Sequence, residues 1–369
     1  MNPPSLPMVP LLAALTAAAM AILVFVVSRA ARRHDSTEEK VRPSRSRWSG
    51  DPVAAKAVTS AFDPAVLADV RGRLLAMALE AAQPHAAEEQ VAHDEAAAGA
   101  GAVLARLDLS PRYTPRRPHL LPQLVQTVND ADSSAREIAG IIAQDPVLVG
   151  NLLRIANSPL YRLQARPVES IERAVTLLGT DGIRQIISAA LVQPVMKLGG
   201  SAFPQFQSVV WEHSLLAGAA AADHARAIGR EDGLPAQLLA LLHGLAGVVV
   251  VQVLLDEYER RPGLVPSATV ARALLQQWVP VTAERIAERW ALPDPLRDAL
   301  RAAVDGSGSS VSLARSLEFG QVAATLTLQC RRGELEESEA LAILGARESQ
   351  SHATQWIWRR LRASEQDAA

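Results

Sequence analysis

Three features of the sequence predict an all-α fold. Ala and Leu dominate the composition while aromatic residues make up 4%, which favours helices over sheets. From residue 64 onward, apolar residues recur at helical spacing behind cap-type residues. In the main body no strand-like alternation competes with that pattern. A chain of 369 residues, 49% of them hydrophobic, can bury a large core, and its length suggests two or three structural units. The formal net charge of −2 gives no global pull toward nucleic acid. Cys330 is the only cysteine, which excludes an intrachain disulfide and a zinc-thiolate site and fits a cytoplasmic body.

The N-terminal unit, residues 1–28, contains no charged side chain, and Leu11–Val27 is almost wholly apolar. With Met8, Val9 and Pro10 it approaches the ~20 residues that span a hydrocarbon core. A cleavable signal peptide would carry its basic residues before the apolar run. Here Arg29, Arg32 and Arg33 follow it, with Arg42, Arg45 and Arg47 further along. The positive-inside bias then predicts a single-pass anchor with its tip outside and the rest of the chain in the cytoplasm. A cleaved signal or a buried helix would share the apolar run but would not require those flanking charges. Residues 29–60 are polar, mixed in charge and broken by Pro43 and Pro52, the composition of a juxtamembrane linker.

Residues 61–110 carry two helical patterns, either a hairpin or a dimerising stalk, and a homodimer is compatible with the second. Asp63 is placed to cap the first, with Pro64 in its opening turn and Val66, Val70, Leu74, Met77 and Leu79 along one stripe. Pro84 ends that run, and an Ala-rich helix follows to about Leu107. His85 and His93 stand among Glu88, Glu89, Asp94 and Glu95; a solvated acidic face explains the group more simply than a metal cluster. The proline-rich stretch Ser110–Pro122 is an extended entry whose Arg112, Arg116 and Arg117 read as solvated surface.

Residues 111–305 read as successive helices. Ser133 and Ser134 offer a cap before the Ile138, Ile141 and Ile142 stripe. Asp145 caps a helix with Pro146 in its first turn, and Asn157-Ser158-Pro159 ends it. Ser170 caps the next, Gly179 stops it, and Asp181 opens a further helix through Val192. Ser208–Ile228, Leu234–Leu255 and Val270–Trp290 continue the series, the last as one helix or two. Asp305–Ser310 is a flexible break. The extension 306–369 then predicts a closing hairpin of Leu313–Cys330 and Glu336–Leu361 with a loose tail.

Two phrases carry more than fold. QDPVLVGNLLRIANSPLYRL (Gln144–Leu163) joins a helix start, an apolar stripe and a polar break. LPQLVQTV precedes it and SIERAVTLLGTDGIRQI follows. Together they resemble the HDOD family, helical output and interaction domains of bacterial signalling proteins. The resemblance implies an HD-like bundle over about Leu120–Val304, a bacterial setting and a signalling protein as partner. With the anchor read from residues 11–27 and the near-neutral charge, the expectation is a module tethered to the inner membrane through its N-terminal helix, with no nucleic-acid partner. Links to motility or cyclic di-GMP networks follow only by analogy.

The second phrase, LALLHGLAG, carries His243 followed by Gly244. Related HD phosphohydrolases have a His-Asp metal-binding pair at that point, joined by an earlier histidine that maps onto His213. Gly244 supplies neither ligand nor charge, and two imidazoles without a carboxylate suit a hard cation poorly. No histidine lies in Gln277–Arg289 before the Trp290-Ala291-Leu292-Pro293 element, nor in Asp294–Asp305 after it. The expectation is a non-enzymatic adaptor with no cofactor, no catalytic residue and no metal. His213 and His243 are then vestigial ligands serving as hydrogen-bonded core residues. His224 shares a helix face with His213 but sits roughly 16 Å along it. Two alternatives stay open: a phosphohydrolase recruiting Asp223 or Asp256, and a small-ligand (nucleotide) sensor using the vacated pocket. For docking, the candidates are Asn157, Ser158, Tyr161 and Arg162, read as an exposed polar rim; caps and breaks explain the same residues structurally.

Overall fold

The computed structural model describes residues 62–79, 89–107, 112–113, 115, 135–158, 160–161, 166–192, 202–304, 312–345 and 352–363. The expected membrane anchor, the linker, the Pro84 break, the Ser133-Ser134 cap and the Asp305–Ser310 break lie outside these residues. So do Arg116, Arg117 and Arg162.

Among the described residues every regular element is helical, as expected. The helices are α1 (Pro64–Leu79), α2 (Gln90–Leu104), α3 (Ala135–Ile142), α4 (Pro146–Ala156), α5 (Ile171–Val192) and α6 (Phe206–His224). Then come a single π turn (Ala225–Gly229), α7 (Gly233–Glu259), α8 (Ala268–Arg289) and α9 (Asp294–Val304). The chain closes with α10 (Ser312–Arg331), α11 (Glu337–Gly345) and α12 (His352–Ala363).

Local chemistry sets the helix starts. Asp63 accepts a hydrogen bond from the Ala65 amide (2.9 Å), and Asp145 one from Leu148 (3.2 Å). Ser170 accepts from Arg173 (3.2 Å), Asp232 from Leu234 (3.1 Å) and Ser267 from Val270 (3.3 Å). Each satisfies an amide that the first turn leaves without a partner. Gly179 has φ 66°, a left-handed conformation that glycine adopts without a Cβ penalty, and it kinks α5 between its two helical halves. Pro280 lies inside α8, which nevertheless runs unbroken as one helix.

The core is built around α7. Among the described residues this is the helix long and apolar enough to cross a membrane. Its most apolar stretch is 83% buried, and α2, α5, α6, α8 and α10 pack around the helix. Apolar residues on every side of α7 are therefore explained by neighbours on every side.

Several expectations need correction. The pair over residues 61–110 is neither a free stalk nor chiefly a mutual hairpin: α1 lies on α6 and α10, and α2 on α7 and α8. His93 does not sit on a solvated face; it is 1% exposed, its Nδ1 2.9 Å from the Tyr258 hydroxyl. A helix is also added where none was read: α9 buries Leu296, Ala299 and Leu300, an i, i+3, i+4 stripe.

The C-terminal extension differs most. Its second arm is two helices, α11 and α12. Its first arm, α10, is central rather than peripheral, packed along α6 and against α7. A Cβ added at Gly320 would lie 2.3 Å from the Ala217 carbonyl oxygen and 2.8 Å from the Ala221 Cβ. Glycine is what allows α10 to approach α6 this closely.

Candidate functional site

His213 on α6 and His243 on α7 do come together, on the wall of one cavity. Its volume is about 110 Å³. Gly244 and Gly247 line it from α7, and Phe206 and Val210 from α6. Leu275 and Val279 enter from α8, Val70, Arg71 and Leu74 from α1, and Gln321, Val322 and Thr325 from α10.

Each imidazole has one ring nitrogen bonded to the protein. Nε2 of His213 lies 3.2 Å from the Gln321 carbonyl oxygen, and the Thr325 hydroxyl lies 3.2 Å from the same nitrogen. That hydroxyl itself donates to the Gln321 carbonyl at 2.9 Å. A carbonyl can only accept, so the His213 proton is assigned to Nε2. For His243 the partner is the Leu239 carbonyl at 3.3 Å from Nδ1, which assigns its proton there. Burial pulls the pKa of His213 down to about 4, opposed by its bond to Gln321. His243 is likewise lowered to about 4, first by burial and then by the charge of Arg71 and the proximity of His213. At neutral pH both rings are uncharged.

The carboxylates needed for metal-dependent hydrolysis are held elsewhere. Asp223 is 2% exposed and ion-paired with Arg226 at 2.6 Å and with Arg360 of α12. Asp256, 4% exposed, takes Arg112 (2.6 Å), the Tyr113 hydroxyl (2.6 Å) and Gln252 (2.8 Å). Neither lines the cavity. Among the described residues no group of three or more His, Cys, Asp or Glu side chains has a metal-binding arrangement. His224 is separate again, its Nδ1 3.0 Å from the Ser316 hydroxyl. The donor set does not fit the divalent ion of an HD phosphohydrolase.

The Asn-Ser-Pro region corrects the expected rim. Nδ2 of Asn157 donates to the carbonyls of Leu153 (2.8 Å) and Val168 (2.9 Å), while Oδ1 accepts from the Val168 amide (2.7 Å). The side chain therefore ties the end of α4 to the approach to α5. Ser158 donates to the Ile155 carbonyl at 2.6 Å. Tyr161 is not an exposed anchor: it is 2% exposed, and its hydroxyl has no hydrogen-bond partner among the described residues. Burial pushes its phenol pKa well up, with the charges of Arg360, Asp223 and Arg226 acting on it from nearby.

Residues missed from sequence include Arg71, Gln321 and Thr325. Arg71 follows the apolar Val70 in the α1 stripe, a weak local signal. Gln321 and Thr325 had none, because α10 is distant in sequence from both histidines.

Residues 114–305 match the HDOD domain. The chain belongs to the HDOD family, and with it to the signalling-related proteins built on this helical core. No curated protein matches it. A candidate metal-dependent phosphohydrolase from Shewanella amazonensis SB2B is a structural neighbour at 21% identity and TM-score 0.50. The likeness covers 74% of this chain and 98% of that one. An HDOD domain protein of unknown function from Geobacter sulfurreducens is 24% identical, with 72% and 96% coverage and TM-score 0.49. At this identity the first likeness speaks for the fold alone. The matched region ends with α9, and α1, α2 and α10–α12 lie outside the matched residues.

Proposed function

We propose that this HDOD protein is a membrane-tethered, cytoplasmic, non-enzymatic signalling adaptor, carrying no metal and acting on another signalling protein. The anchor is the apolar run Leu11–Val27, followed by the arginines that orient it with the N-terminus outside. The observation that carries the non-enzymatic reading is the fate of the histidine corner. Glycine stands where the resemblance puts the metal-binding aspartate, and Asp223 and Asp256 are held in ion pairs away from the cavity. The name of the Shewanella neighbour suggests phosphohydrolysis, but this corner lacks the ligands that such chemistry needs.

Two assays test the reading. Reporter fusions at the two ends of the full-length chain report topology; a cytoplasmic N-terminus or a periplasmic C-terminus overturns the anchor. Phosphodiester and cyclic-dinucleotide turnover is measured with added Mn²⁺. Turnover no greater than that of a His213→Ala/His243→Ala double variant is expected, and activity lost in that variant overturns the adaptor reading. A small-ligand role for the same corner is favoured by one observation, the cavity itself.

A further inference from the structure

The cavity beside His243 has the wrong walls for a nucleotide. Val70, Leu74, Phe206, Val210, Leu275 and Val279 give it an apolar body, whereas a base, ribose and phosphates would each need polar partners. Its polar lining is Arg71, His213, His243, Gln276, Gln321 and Thr325. Arg71 lines the wall from α1 with no ion-pair partner among the described residues, although the charge of Glu318 acts on it from a distance. His243 keeps Nε2 without a partner among those residues, and its ring feels the charge of Arg71. A cation without an ion pair among the described residues and an imidazole nitrogen without a hydrogen bond among them thus line a mostly apolar chamber.

We propose that the chamber binds a compact monocarboxylate, its hydrocarbon tail among the apolar side chains and its carboxylate on Arg71 beside His243. The inference rests on the reading that this corner holds no metal. The size of the tail follows from the volume. An apolar cavity of about 150 Å³ accepts benzene, so a cavity of about 110 Å³ takes a tail of about four or five carbons. The charge is fixed by the guanidinium, which recognises a carboxylate with paired donors and gives a neutral alcohol far less. Because α1 and α10 lie outside residues 114–305, the ligand would tie helices flanking the matched region to those within it.

Gly247 provides a test with little risk to folding. A Cβ there meets Leu275 at 3.8 Å, Phe206 at 3.9 Å and Val279 at 4.0 Å, all ordinary contacts, so an alanine methyl enters the cavity without a clash. The full-length chain in lipid nanodiscs is dialysed to equilibrium against radiolabelled hexanoate and, separately, 1-hexanol, with empty nanodiscs as reference. One saturable hexanoate site is expected, weakened in Gly247→Ala and lost in Gly247→Leu, with circular dichroism confirming the fold. Arg71→Gln should weaken hexanoate about tenfold, as loss of a charge-assisted contact does, while changing hexanol by less than about twofold. The proposal is overturned if the wild-type chain shows no saturable site. It is equally overturned if Arg71→Gln binds hexanoate as well as wild type, or if a cyclic dinucleotide displaces hexanoate. Metal measured in the same sample separates the two readings. Stoichiometric metal removes the reading beneath the proposal; absent metal with absent hexanoate binding removes the proposal alone.

Discussion

Nε2 of His213 donates to the carbonyl of Gln321 across 3.2 Å. The first lies within the matched HDOD residues and the second outside them. The bond fastens α10 to α6, and this contact has consequences for stability, pH response and domain limits.

Acid should weaken the fold through the two histidines. Their folded pKa values lie near 4, below the ordinary value of about 6.5. The unfolded chain therefore binds protons that the native state refuses. The stability is fully present above about pH 6.5 and is lost as pH falls toward 4. At the lower end the loss is on the order of 3 kcal/mol per histidine at most. Urea denaturation at several pH values should show a shallower slope over this window in a His213→Gln/His243→Gln variant.

The α6–α10 contact leaves no room at Gly320. Gly320→Ala should destabilise by about 1–3 kcal/mol or more, because the new methyl meets backbone rather than a flexible side chain. A melting temperature within a degree of wild type would show that the helices are less closely set.

Arg360→Leu removes one of two cations from the buried Asp223. Arg226 remains, so the expected loss is about 2 kcal/mol rather than the 3–5 of a fully stranded charge. Pairing the change with Asp223→Asn should recover part of it, which a double-mutant cycle measures.

Tyr161 and Asn157 should behave oppositely. Tyr161→Phe removes a hydroxyl that makes no hydrogen bond among the described residues and should leave stability unchanged or slightly raised. Asn157→Ala strands the amide and carbonyl of Val168 and should cost about 2 kcal/mol. Chemical denaturation of the two variants checks both.

Expressed alone, residues 114–305 should fail to fold. Without α10 the segment exposes the faces of α6 and α7 on which that helix packs and deprives His213 of its acceptor. Cooperative unfolding of that fragment would contradict the central place given to α10.

Much of this was legible in the sequence because it is local. Asp63, Asp145 and Ser170 cap helices within their own next turn, and Gly179 kinks α5 through its own φ. The meeting of His213 with His243 was legible only through the family pattern. The rest depends on contacts distant in sequence. Nothing near Tyr161 indicates that its ring turns inward beside Asp223 and Arg360, residues 62 and 199 positions away. Composition alone could not distinguish a solvated Ala-rich helix from one that buries His93 against Tyr258. Nor could periodicity tell a closing hairpin from a core helix, since both show an apolar stripe.

The most direct test is elemental analysis of the full-length chain purified without chelator. The account predicts no iron, manganese or zinc above background, in wild type and in His243→Ala alike. Near-stoichiometric metal in wild type that disappears in His243→Ala would contradict it and restore the phosphohydrolase reading.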